Sequence, residues 1–108
     1  MQEDPITRHR PIVHLLEPGE RVELVLSSGE SDLRVTDRRI IVTAGEHVRL
    51  LLAYDELRRI QFDIETMRPA TMVIVPHRPS QEPQVLAVPR EQMHHAAEVL
   101  AFVAERLP

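Results

Sequence analysis

Apolar and polar positions alternate through most of this chain, and the period of that alternation changes once. Val22, Leu24 and Leu26 interleave with Arg21, Glu23 and Val25, the two-residue period of a strand with one buried face. Ser27-Ser28-Gly29-Glu30 has turn chemistry, and Leu33 and Val35 resume the alternation on a returning strand, which predicts a hairpin. Thr36-Asp37-Arg38-Arg39 breaks the apolar run before Ile40-Ile41-Val42-Thr43 supplies a β-branched third strand. Ala44 to His47 turns the chain into a fourth strand carrying Val48, Leu50 and Leu52, which Tyr54-Asp55-Glu56 ends. In the fifth, Ile60, Phe62 and Ile64 alternate with Gln61, Asp63 and Glu65. Arg68-Pro69-Ala70 leads to a sixth over Thr71 to Val75. The three prolines from Pro76 to Pro83 exclude regular structure, and Val85 to Val88 forms a short seventh.

After Pro89 the period lengthens. Met93, Ala96, Leu100, Val103 and Leu107 recur at spacings of three and four, opposite Glu91, His94, Glu98 and Glu105, which predicts an amphipathic helix with its proline near the start. From these patterns Val22, Leu24, Leu33, Val35, Phe62, Ile64 and Leu100 are expected to be buried together. Pro5, Pro11 and Pro18 lie among scattered Arg and His residues, so residues 1–14 are expected to form an irregular arm and 15–108 the domain proper. Within and just after that arm, Ile12, Val13, Leu15 and Leu16 are its docking points.

Length narrows the picture to one core, since 108 residues do not support two. Aromatics make up 3% of the chain, so that core is aliphatic. With no cysteine there is no disulfide, thiolate metal site or thiol nucleophile, which accords with a cytoplasmic setting. Acidic residues stand at Glu3 and Asp4 where a secretory leader carries positive charge, so an exported precursor is not expected. Leu50 to Ala53 and Met72 to Val75 are far shorter than the ~20 residues that cross a bilayer. A net charge of -4 gives no electrostatic footprint for nucleic acid.

Three short motifs stand in order on these elements: Leu15-Leu16-Glu17-Pro18-Gly19-Glu20-Arg21-Val22, then Val35-Thr36-Asp37-Arg38-Arg39-Ile40-Ile41, then Tyr54-Asp55-Glu56-Leu57 leading to Ile60. Together they resemble the bacterial pleckstrin-homology-like (PH-like) domain families over roughly residues 15 to 107. The Thr36 to Ile41 turn is the most specific part. The resemblance implies a mainly β fold, a PH-like barrel or sandwich of about seven antiparallel strands in two nearly orthogonal sheets, capped by one C-terminal helix. It implies little about activity, because this fold hosts lipid binding, peptide binding and scaffolding alike.

Candidate chemistry is sparse. Phosphoinositide pockets of eukaryotic PH domains need concentrated positive charge, whereas the corresponding loops here carry Glu30, Asp32, Glu46 and Glu82 against Arg78. Arg38, Arg39, Arg58 and Arg59 are the only paired bases and form a candidate anion or partner patch at one end of the sandwich. The plainer expectation is that Asp37 caps its turn locally while the arginines pair with Asp55, Glu56 or Asp63. His94 and His95 are adjacent on the helix and diverge by about 100°, so they do not share a metal ion. The serines sit in no nucleophile elbow, and no glycine-rich phosphate loop exists. The expectation is therefore a non-enzymatic module without cofactor or metal that contacts protein, copies of itself included. Leu50-Leu51-Leu52 and Met72-Val73-Ile74-Val75 put apolar side chains on both faces of their strands, which marks Leu51, Val73 and Val75 as a candidate self-association surface. A peripheral membrane or small anionic ligand held at the Arg38/Arg39 and Arg58/Arg59 end is the alternative.

Overall fold

The computed structural model describes residues 15–108. The expected arm over residues 1–14 lies outside that range. Four strands form the first antiparallel sheet in the order β1-β2-β3-β4: β1 (Val22–Ser28), β2 (Ser31–Thr36), β3 (Arg39–Ala44) and β4 (His47–Ala53). A 3-10 turn over Tyr54–Glu56 leads to the second sheet, β5-β6-β7, made of β5 (Leu57–Asp63), β6 (Ala70–Pro76) and β7 (Gln84–Val88). A second 3-10 turn, Arg90–Gln92, opens directly into helix α1 (Met93–Ala104).

Glycine sets two of the hairpins. The β1–β2 and β3–β4 connections are the two-residue loops Gly29-Glu30 and Gly45-Glu46, with φ of 57° and 61° at the glycines. No other residue type has positive φ among the described residues, so the glutamates stay on the ordinary side. Glycine first, with its neighbour at negative φ, is the II′ arrangement, whose twist matches that of the strands it joins.

The core lies between the sheets and under the helix. Leu26, Leu33, Val35, Ile40, Val42, Leu50 and Leu52 enter it from the first sheet. Met72, Ile74, Leu86 and Val88 enter from the second, and Ala96, Val99 and Val103 from α1. Each of the larger side chains contributes about 1.5–3 kcal/mol by leaving water, before chain entropy is set against it. α1 packs on β1, and the His95 Nε2 lies 2.6 Å from the Val25 carbonyl on that edge strand. At the far end of β1 the Ser28 hydroxyl donates to the Ala87 carbonyl of β7, which draws the two sheets together.

Two of the expected core residues are not buried. Val22 is 36% exposed, because a bulge between Val22 and Leu24 breaks the alternation just where it had been counted from. Ile64 is 65% exposed, because β5 ends at Asp63 and nothing pairs beyond it. Leu33 and Val35 are fully enclosed, while Leu24, Phe62 and Leu100 are half-buried against the core. The helix stripe shifts as well. Val99, which the pattern passed over, is fully buried, and Leu107 lies past the end of the helix and is exposed.

Candidate functional site

Glu17-Pro18-Gly19-Glu20 is a tight turn in which the Glu20 N–H donates to the Glu17 carbonyl at 3.0 Å. Gly19 takes φ of 80°, the third-position requirement of a type II turn with proline before it. The turn aims Glu20 inward, where its carboxylate meets Arg39: Oε1 lies 2.6 Å from Nη2 and Oε2 3.0 Å from Nε. The Thr36 hydroxyl donates to the same carboxylate at 2.6 Å. That forked pairing, with the threonine hydroxyl and a bond from the Glu17 N–H behind it, holds the Glu20 carboxyl down at about 2 against the burial that would raise it.

Thr36 is the centre of this knot. Its Oγ1 accepts the backbone N–H groups of Arg38 and Arg39 at 3.0 and 2.8 Å, closing the two-residue link between β2 and β3. Its carbonyl accepts the Tyr54 hydroxyl at 2.6 Å. Burial of that phenol pushes its pKa up to about 12, so it remains a donor. The expectation that Asp37 caps its own turn is corrected. Thr36 does that, while Asp37 reaches sixteen residues back and exchanges a pair of bonds with Arg21, its carboxylate accepting the Arg21 N–H at 2.8 Å and its own N–H donating to the Arg21 carbonyl. The three motifs that carried the resemblance are therefore one hydrogen-bonded cluster.

The arginines divide into two kinds. Arg39 is spent on Glu20 and the Leu15 carbonyl, and Arg38 pairs with Glu17 at 3.1 Å, so neither uses the expected partners Asp55, Glu56 or Asp63. Arg58 and Arg59 are exposed on β5 with no acidic partner among the described residues. Among the described residues no hydrogen bond or ion pair joins one pair to the other. On the helix, His95 is held against β1, with Glu98 at 3.5 Å from its Nδ1, and His94 projects into solvent.

The apolar runs separate cleanly by face. Leu50 and Leu52 point into the core, so Leu51 lies on the outer face of the first sheet, in register with a fully buried Ile41. Met72 and Ile74 point inward from β6, so Val73 and Val75 lie on the outer face of the second sheet. Leu51 thus does not share a surface with the two valines. Rows across the second sheet's outer face read Arg59–Val75, Gln61–Val73–Val85 and Asp63–Thr71–Ala87. Val85 is 64% exposed, and along β5 the Gln61 amide donates to the Asp63 carboxylate at 3.1 Å.

No family model and no curated protein matches the sequence. Solved structures do match its shape. A pleckstrin homology domain from Shewanella amazonensis superposes with a TM-score of 0.68 at 17% identity, covering 94% of this chain and 98% of that one. A DUF1696 family protein with a pleckstrin-homology domain, from Shewanella loihica, gives 0.65 at 12% identity over 96% and 93%. The fold is PH-like. The expected architecture of seven antiparallel strands in two sheets with one C-terminal helix is the one observed.

Within this PH-like domain a groove of about 660 Å³ runs between the β5–β6 loop and the start of α1, walled by Glu65, Met67, Arg68, Pro69, Arg90 and Met93, with Arg68 lying 3.8 Å from Glu65. A second, of about 540 Å³, lies between β4 and the β6–β7 loop and offers one arginine, Arg49, beside Glu82. Neither concentrates positive charge. Reading runs of consecutive apolar residues had pointed to β4 and β6 but passed over Val85, Ala87 and Asp63, which complete the outer face of the second sheet. The signal for Val85 and Ala87 was the simple alternation of β7, where Leu86 and Val88 turn inward, and that for Asp63 was the alternation of β5.

Proposed function

We propose that this PH-like domain is a non-enzymatic, cytoplasmic interaction module that contacts protein, copies of itself included, through the outer face of β5-β6-β7. The observation that carries the reading is the covering of that face. Val73, Val75, Val85 and Ala87 present β-branched and small apolar groups across two strands, whereas a sheet with one wet face normally alternates to polar residues there. α1 has no second apolar side to offer it, since its buried stripe already closes the core.

Molar mass from light scattering over a dilution series tests this. The wild-type mass should rise with concentration, and Val85→Glu, at an exposed position that folding does not need, should stay monomeric throughout. A wild-type monomer persisting at high micromolar concentration would overturn self-contact. The alternative, an anionic membrane or small anion at the arginine end, draws support from Arg58 and Arg59, which have no acidic partner among the described residues, but Arg38 and Arg39 are engaged by Glu17 and Glu20. Salt-sensitive flotation with anionic vesicles, lost in Arg58→Glu/Arg59→Glu, would favour that alternative instead.

A further inference from the structure

The geometry points to a second copy of this chain as the occupant of the second sheet's outer face, docked about a two-fold axis that lies across the strands and joined by reciprocal Arg59–Asp63 pairs; this rests on the self-contact reading above. Charges stand at the margin of the apolar rows. Along β5 the outward positions are Arg59, Gln61 and Asp63, a cation and an anion symmetrically placed about a neutral centre. Both charges are exposed, and Arg59 has no acidic partner among the described residues.

Two copies facing each other through this surface are related by an axis in the contact plane, running either across the strands or along them. An axis across the strands, over the Gln61–Val73–Val85 row, lays each strand on its own copy in the opposite direction. The central row then meets itself, valine on valine. The Arg59–Val75 row of one protomer meets the Asp63–Thr71–Ala87 row of the other, so each arginine faces an aspartate and no like charges meet. An axis along the strands lays β5 over β7 instead, which puts Asp63 over the Ala87 row and Arg59 beyond the start of β7, so the two charges no longer meet. Sheets packed face to face sit about 10 Å apart, a gap that an arginine and an aspartate span from opposite sides.

The size of the face sets the strength. Strands about 4.8 Å apart and residues rising about 3.3 Å each give a three-strand, five-residue patch of about 240 Å² per protomer, roughly a third of the ~800 Å² of a standard stable interface. The dimer is therefore weak, with Kd in the micromolar range or above, and exchanges freely with monomer.

A charge-swap cycle read by sedimentation equilibrium tests the register. Arg59→Glu and Asp63→Arg each put like charges together twice in a symmetric dimer and should weaken association about tenfold. The double variant Arg59→Glu/Asp63→Arg restores opposite charges and should return Kd to within about threefold of wild type. If Val85→Glu abolishes the dimer while neither single charge reversal changes Kd, the face is used but this pairing is wrong. If the single variants weaken association and the swap does not restore it, the two-fold register is wrong. A wild-type chain that never exceeds monomer mass overturns the self-contact reading and this pairing together.

Discussion

Replacing Glu20 by glutamine tests the knot at its most heavily loaded point. The substitution keeps shape and removes charge, leaving the largely buried Arg39 guanidinium facing an amide. Glu20 falls from the usual 4.5 to about 2 in the folded chain, chiefly through its bonds with Arg39. At about 1.4 kcal/mol for each tenfold change in a protonation equilibrium, that difference corresponds to on the order of 3 kcal/mol of stability. Breaking one side of a buried ion pair costs about the same, 3–5 kcal/mol. Because the folded value is depressed, this contribution is fully present above pH 4.5 and is lost as pH falls through about 2. Urea unfolding at neutral pH should therefore show Glu20→Gln less stable by about 3 kcal/mol. For a domain this size, that lowers the melting temperature by roughly 12 °C or more. The gap between wild type and variant should narrow steadily below pH 4.5, as Glu20 gains its proton in the wild type too. Arg39→Met and the double variant complete the cycle, with a coupling of at least about 1.5 kcal/mol expected. A loss under about 1 kcal/mol for Glu20→Gln, or a gap that does not narrow in acid, would refute the assignment of the pair as a principal support of the fold.

Other outcomes follow from the same geometry. Thr36→Val keeps the side-chain shape but deletes the hydroxyl that serves Glu20, Arg38 and Arg39, and should cost about 2–3 kcal/mol in chemical unfolding, whereas Asp37→Ala removes one exposed bond and should cost about 1 kcal/mol. Equal losses would mean that the hydroxyl is not the centre. Val99→Ala should lower stability by about 2 kcal/mol and Leu107→Ala by less than about 0.5 kcal/mol, as thermal melts of both would show. The reverse order would contradict the placement of the helix stripe.

How far the sequence reached depends on what kind of information each residue carries. The strands were legible because a half-buried strand must alternate, and Ile60-Gln61-Phe62-Asp63 does so without exception. The bulge at Val22 was not, because it depends on the pairing partner rather than on the residue itself. Similarly, the Thr36 turn stood out as a motif, but the assignment of its capping role to Asp37 failed. A local turn offers both side chains a local bond, and Asp37 instead met Arg21, which the turn at Pro18-Gly19 delivers from sixteen residues away. The arginine patch was only half legible for the same reason: nothing near Arg39 in the chain announces Glu20. Leu51 was grouped with Val73 and Val75 because all three belong to apolar runs, and a run does not say which sheet its outward residues join.

The most direct test of the central claim, that the outer face of β5-β6-β7 is the contact surface, is the concentration dependence of backbone amide shifts in the isotope-labelled chain. Gln61, Val73, Val75, Val85 and Ala87 should move together as concentration rises while Val25 and Leu51 on the first sheet stay fixed. Shifts confined to the first sheet or to Arg38, or none at any concentration at which the mass of the particle increases, would contradict it.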